Sequence, residues 1–171
     1  MEIIKIHHPY SASEIVQEDI VLILGFFDGV HRGHQKVIKK GIELAKEKGI
    51  KSALMTFNRH PAFVYRRFDP EYHSYLTPLK RKEELIASFG IDILYEVEFT
   101  SAFGTLPPQD FVDQYIAGWN AKAVVAGFDY TYGKEASDNM DHLHLYAKNR
   151  FEIYKVDVEN EAESKVSSTR I

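Results

Sequence analysis

The chain of 171 residues contains no cysteine. That excludes disulfides, thiolate nucleophiles and Cys-ligated zinc, and it suits a reducing compartment. Positive charge is not in excess either: 21 Lys and Arg stand against 25 Asp and Glu, a formal net charge of −4. Nothing in that balance recruits a nucleic-acid backbone, so an anionic ligand has to be small and gripped locally. No apolar run approaches the roughly 20 residues that span a bilayer. Met1-Glu2-Ile3-Ile4-Lys5 carries no signal-peptide pattern. The expectation is therefore a cytoplasmic protein with no nucleic-acid partner and no membrane partner. Internal repeats, low-complexity segments and an HExxH pattern are absent as well. What remains is an ordinary globular balance, 44% hydrophobic and 27% charged, enough for one domain with a core that needs no staples.

The periodicity alternates between strands and helices. Strands are predicted at Ile3–His7, Ile20–Phe26, Lys51–Phe57, Ile91–Phe99, Lys122–Gly127 and Phe151–Val158. A helix is predicted over Arg32–Lys48, with Val37, Ile38, Ile42, Leu44 and Ala45 as its apolar face and Gly49 as its stop. Further helices are expected from Thr77-Pro78 to about Phe89, over Pro108–Ile116 and over Asn139–Lys148. Pro61–Arg67 reads as either a short helix or a loop. The class is α/β, a Rossmann-like, mostly parallel sheet with flanking helices. Ligands of such sheets bind beyond the carboxyl ends of the strands. The three most unusual segments, 25–35, 56–61 and 126–133, each follow a strand and can converge there.

The first segment is Gly25-Phe26-Phe27-Asp28-Gly29-Val30-His31-Arg32-Gly33-His34-Gln35. It lies where a strand turns into a helix. Glycines there let backbone approach a ligand closely, and a helix N-terminus offers N–H groups and a positive dipole end to phosphate. His31 and His34, three apart, share a helix face and can stabilise charge developing on a phosphoryl group. The competing reading is two surface histidines near a turn, since the chain has eight. The preceding strand and the glycines favour the functional one. A metal reading is weaker, because only two neutral ligands are visible. Asp28 either holds Mg²⁺ through water or braces the loop.

The other segments leave alternatives open. Phe57 packs its ring into the core, while Asn58, His60 and Pro61 can rim a pocket for a planar heterocycle. Arg59 either contacts a phosphate or is solvated. Asp129, between Gly127 and Gly133, either binds ribose hydroxyls or holds its loop by an Asx turn. Ser167, Ser168 and Thr169 are helix N-cap residues in one reading and a pyrophosphate cradle in the other. Phe63, Tyr65, Phe68, Tyr72 and Tyr75 either line a cleft or pack a long connection against the sheet. That connection, 58–76, is long for a compact domain, which favours a functional role.

The string GFFDGVHRGH resembles the HxGH motif of the nucleotidyltransferase superfamily, related in fold to class I aminoacyl-tRNA synthetases. In full it resembles the FMN adenylyltransferase (FAD synthetase) family, in bacteria usually the N-terminal half of a bifunctional riboflavin kinase/FAD synthetase. Thr56-Phe57-Asn58-Arg59-His60-Pro61 is similar to the family's TFxPHP, with Arg59 departing from the usual proline. Leu76-Thr77 with Lys82 and Leu85 is similar to LTxxxxKxxLL. Gly127 to Gly133 is similar to GxDFxFG, although Ala136-Ser137-Asp138 stands where the family often has glycine. Val166 to Ile171 is similar to ISSTxIR, short of the final arginine.

The resemblance implies transfer of AMP from ATP to FMN, giving FAD and pyrophosphate. It implies His31 and His34 as catalytic residues. It implies Gly25, Phe26, Phe27, Asp28, Gly29, Gly33, Asp129, Ser167, Ser168 and Thr169 at ATP, and Asn58, Arg59, His60 and Pro61 at FMN. Mg²⁺ is expected to be held mainly by ATP. The expected organisation is one adenylyltransferase domain over residues 1–171, cut at its C-terminal end, with any riboflavin kinase domain beyond it. The alternatives are another small-molecule nucleotidyltransferase, of cytidylyltransferase or pantetheine-phosphate adenylyltransferase type, and a non-catalytic flavin or nucleotide module.

Overall fold

A strand covered on both faces reads as an unbroken apolar run, and such a run, Ile20 to Leu24, forms the fully buried strand β2 (Ile20–Leu24) at the centre of the sheet. The computed structural model describes residues 1–25, 32–57, 79–127, 130–132, 138–140, 142–156 and 163–166. The other strands are β1 (Glu2–Ile6), β3 (Lys51–Phe57), β4 (Ile93–Val97), β5 (Ala121–Gly127), β6 (Thr131–Tyr132), β7 (Asp138–Asn139), β8 (Glu152–Val156) and β9 (Glu163–Val166). The helices are α1 (Arg32–Lys48), α2 (Leu79–Ala87), α3 (Ser101–Gly104), α4 (Pro108–Phe111) and α5 (Leu143–Ala147).

The main sheet has the order β1-β4-β3-β2-β5-β8-β9. β1 to β8 pair in parallel within it, and β9 runs antiparallel to β8. The chain leaves β2 in one direction through β3 and β4, and takes up β5 and β8 on the other side. β2 therefore marks the switch point of the sheet. β6 and β7 form a separate antiparallel ribbon.

Alternate side chains build two cores. Ile20, Leu22 and Leu24 join a cluster with Phe103, Phe111, Tyr115, Ile116, Trp119 and Leu143. Val21 and Ile23 join the opposite cluster with Val37, Ile38, Leu44, Ala45 and Ile86. So α1 and α2 cover one face, and α3, α4 and α5 the other. An irregularity in the pairing of β2 with β5 near Ile20 restores this alternation, since Ala121 and Val124 face one core while Ala123 and Val125 face the other.

Helix α1 lies directly on β2 because it carries a glycine at the contact. A Cβ at Gly41 would run into Cγ1 and Cδ1 of Ile23. Gly49, at φ +68°, ends the helix in the left-handed region, with Ile50 N–H donating to the Ala45 carbonyl at 3.0 Å. Gly90, at φ +90°, follows α2 in the same region.

The predicted α1 and third strand match in full, and the remaining parallel strands differ only at their ends. The helix predicted over Asn139–Lys148 is shorter, because Asp138 and Asn139 pair with Tyr132 and Thr131 instead. The helix predicted over Pro108–Ile116 widens into a π-type turn over Val112–Ala117, closed by Gly118 N–H on the Asp113 carbonyl at 2.9 Å. The Gln114 carbonyl accepts the Tyr10 hydroxyl there. The predicted Pro61–Arg67 element and the Thr77-Pro78 cap lie outside the described residues.

Gly41→Val should lower stability by about 1–3 kcal/mol, because overpacking outweighs the gain in helix propensity. Urea unfolding measures it, and an unchanged midpoint would contradict direct seating of α1 on β2.

Candidate functional site

Register brings three strand ends level. Leu24 of β2 lies opposite Met55 of β3 and opposite Ala126 of β5. One residue further on, β2 is followed by the half-buried Gly25 and β5 ends at Gly127, while β3 ends two residues on, at Phe57. The three segments singled out in the sequence thus leave the sheet side by side at its switch point, where α/β sheets bind their ligands.

Helix α1 begins at this same edge. His34 stands in its first turn, on the stripe that continues through Ile38, Gly41 and Ala45 toward the sheet. The side chain is half-buried and its Nδ1 is shielded from water. Gly33, one residue earlier, belongs to the same first turn, whose N–H groups have no partner within the helix. A phosphate here would meet backbone donors, the positive end of a helix of 17 residues and an imidazole.

Phe57 is a core residue, as expected: its ring meets Phe99 edge-on at 5.1 Å and Phe103 at 5.5 Å. Beyond β5, Tyr130 N–H donates to the Gly127 carbonyl at 3.1 Å. Tyr130 itself is buried in the core, which raises the pKa of its hydroxyl. Phe26, Phe27, Asp28, Gly29, His31, Asn58, Arg59, His60, Pro61, Asp129, Ser167, Ser168 and Thr169 lie outside the described residues. Among the described residues no group of three or more His, Cys, Asp or Glu is placed to hold a metal, and no helix is long and apolar enough to cross a membrane.

Sequence reasoning gave no role to a polar cluster at this edge, on the α2 side. Lys82 is buried, and its Nζ donates to the carbonyl of Phe57, the last residue of β3, at 2.9 Å. Glu96 on β4 is buried too; it pairs in register with Lys5 of β1 and with Thr56 of β3. Both of its carboxylate oxygens are buried without a hydrogen-bond partner among the described residues, and Glu83 on α2 acts on them electrostatically. Burial first, and then the neighbouring acid Glu83, push the Glu96 carboxyl up to about 7, against the pull of Lys5 and Lys82. The available signal was one acidic residue inside an otherwise apolar strand, Ile93-Leu94-Tyr95-Glu96-Val97.

Comparison with known proteins identifies a family. The family model described as FAD synthetase matches residues 13–170. A bifunctional riboflavin kinase/FMN adenylyltransferase of Listeria monocytogenes is 46% identical over 171 residues, covering 100% of this chain and 54% of that protein. The one of Bacillus subtilis is 41% identical with the same coverage, 100% and 54%. The chain thus spans about half the length of the curated relatives it matches. A solved structure described as a macrolide-efflux protein from Streptococcus pneumoniae superposes with a TM-score of 0.76 at 29% identity, over 91% of this chain and 58% of that one.

Because folding raises the pKa of Glu96, its contribution to stability is complete below its ordinary value of 4.5 and is lost as pH rises through about 7. Glu96→Gln mimics the protonated acid. Its thermal midpoint should match the parent's near pH 5 and exceed it by roughly 3 °C or more at pH 8. A difference independent of pH would contradict the raised pKa.

Proposed function

The chain belongs to the FAD synthetase family, and from that premise we propose that it transfers AMP from ATP to FMN, releasing FAD and pyrophosphate. The observation that carries this reading is the level alignment of the ends of β2, β3 and β5 beside the first turn of α1. Two substrates that must react phosphate to phosphate need one edge with a phosphate-binding helix terminus between two ligand-bearing strand ends. β2 with α1 supplies the terminus, and β3 and β5 supply the flanks.

The reaction is an in-line displacement. A phosphate oxygen of FMN attacks the α-phosphorus of ATP, the bond from that phosphorus to the bridging oxygen breaks, and pyrophosphate leaves with the electron pair. No protein nucleophile is required, so catalysis is alignment and charge stabilisation. His34, with His31, donates to the oxygens of the crowded α-phosphoryl group, where negative charge grows in the transition state. Being half-buried, His34 does so where water competes less. Gly25, Phe26, Phe27, Asp28, Gly29 and Gly33 admit the triphosphate to the helix terminus, and Asp129 addresses the ribose. Asn58, Arg59, His60 and Pro61 hold FMN at the end of β3. Ser167, Ser168 and Thr169 hold the leaving pyrophosphate. That contact needs a turn after β9, whose last residue Val166 has returned to the level of Ile153.

Mg²⁺ held mainly by the nucleotide belongs to this reading. When bound there, Mg²⁺ neutralises charge on the departing pyrophosphate. A cytoplasmic location, and a riboflavin kinase domain working on the same flavin, belong to this reading.

His34→Ala should lower kcat for FAD formation about 100-fold or more, with an unchanged thermal midpoint, as for loss of one oxyanion-type donor. FAD production from FMN and ATP, followed by chromatography, measures it. Turnover at the parent's level would remove His34 from the mechanism.

A further inference from the structure

We propose that Lys82 is a positioning residue for flavin binding: by gripping the Phe57 carbonyl, it fixes the direction in which the backbone leaves β3 toward Asn58. The inference rests on the function proposed above and adds a residue to which that function assigns no contact with substrate.

The argument starts from what a buried ammonium costs. A lysine is almost never fully buried unless its charge is compensated and its donors are used. Lys82 is 3% exposed and sits in α2, the helix that returns to the sheet after the segment beginning at Asn58. It spends one donor on a backbone carbonyl 25 residues earlier. That carbonyl is the last of β3, at the residue where the strand's pairing with β4 ends, Phe57 opposite Val97. The peptide Lys82 holds thus follows the last paired residue of β3. Asn58 is bonded directly to that peptide.

The surroundings keep Lys82 in place. Glu96 is the acid on β4, Glu83 lies next to Lys82 on α2, and Lys5 approaches from β1; β3 contributes the uncharged Thr56. Ile86, one helical turn beyond Lys82, is buried against Leu54 and Leu94 and fixes α2 on the sheet. A residue needed only to fill this space could be apolar, as Ile86 is. The ammonium adds a directed, charge-assisted bond to one carbonyl.

If the role is positional, its loss falls on FMN and spares ATP, whose helix terminus is held by β2 and α1. A merely structural role would change both substrates together or lower the melting temperature alone. The experiment compares wild-type protein with Lys82→Met, which keeps length and apolar bulk and removes the donor. Steady-state FAD formation gives KM for each substrate, and circular dichroism gives the thermal midpoint. The expected result is a KM for FMN raised about 10-fold or more, a KM for ATP within about 2-fold, and a preserved midpoint. Should Lys82→Met fail to fold, Lys82→Gln carries the same comparison, because its shorter amide falls short of the carbonyl while remaining polar. FAD from wild type with an unchanged KM for FMN in the variant, or equal changes for both substrates, overturns the role of Lys82 alone. No FAD from wild type overturns the function and this inference with it.

Discussion

The structure depends on the double burial of β2. Its five side chains are withdrawn from water on both faces, and its backbone is bonded to β3 on one side and β5 on the other. A strand so placed cannot slip by one residue without turning each face of the core inside out. The register of β2 therefore sets the level at which its neighbours end, and with it the edge at which the segments after β2, β3 and β5 emerge. The seat of α1 follows from the same strand. Gly41 lets the helix rest on Ile23, so the helix terminus and His34 arrive beside the strand ends.

Much of this was legible in the residues. The apolar run at Ile20–Leu24, the period of Arg32–Lys48 with Gly49 behind it, and the run Lys51–Phe57 each gave an element with the right partner class. Local chemistry decided those cases: burial on both faces, an amphipathic stripe and a left-handed stop. Where pairing between distant segments decided, the pattern misled. Asn139 was expected to begin a helix, yet it pairs with Thr131, as Asp138 does with Tyr132. β9, with Glu163 and Lys165 in it, carries no apolar signature and exists because β8 offers an open edge. The π-type turn at Val112–Ala117 is likewise invisible to a helical period, which sees only that Val112, Tyr115 and Ile116 share a face.

The candidate site divides along the same line. His34 and Gly33 were recognisable from their place after a strand, and the structure sets them in the first turn of α1. Lys82 was quoted only for its spacing in a helix, and Glu96 was passed over inside an apolar strand. Their significance is topological. β4 lies between β1 and β3 and all five of its residues are buried, so an acid on it has to find partners. This edge of the sheet thus joins two kinds of polarity. Backbone N–H groups and an imidazole stand in the first turn of α1, while a lysine and two acids lie on the α2 side.

The central claim is that this edge joins ATP and FMN through the α-phosphorus. It is tested most directly by incubating the protein with FMN, Mg²⁺ and ATP labelled at the α-phosphate, with riboflavin in place of FMN in a parallel reaction. The account predicts label in FAD, unlabelled pyrophosphate in equal amount, and no labelled flavin from riboflavin. Label that stays in ATP, or leaves it without entering a flavin, would contradict it.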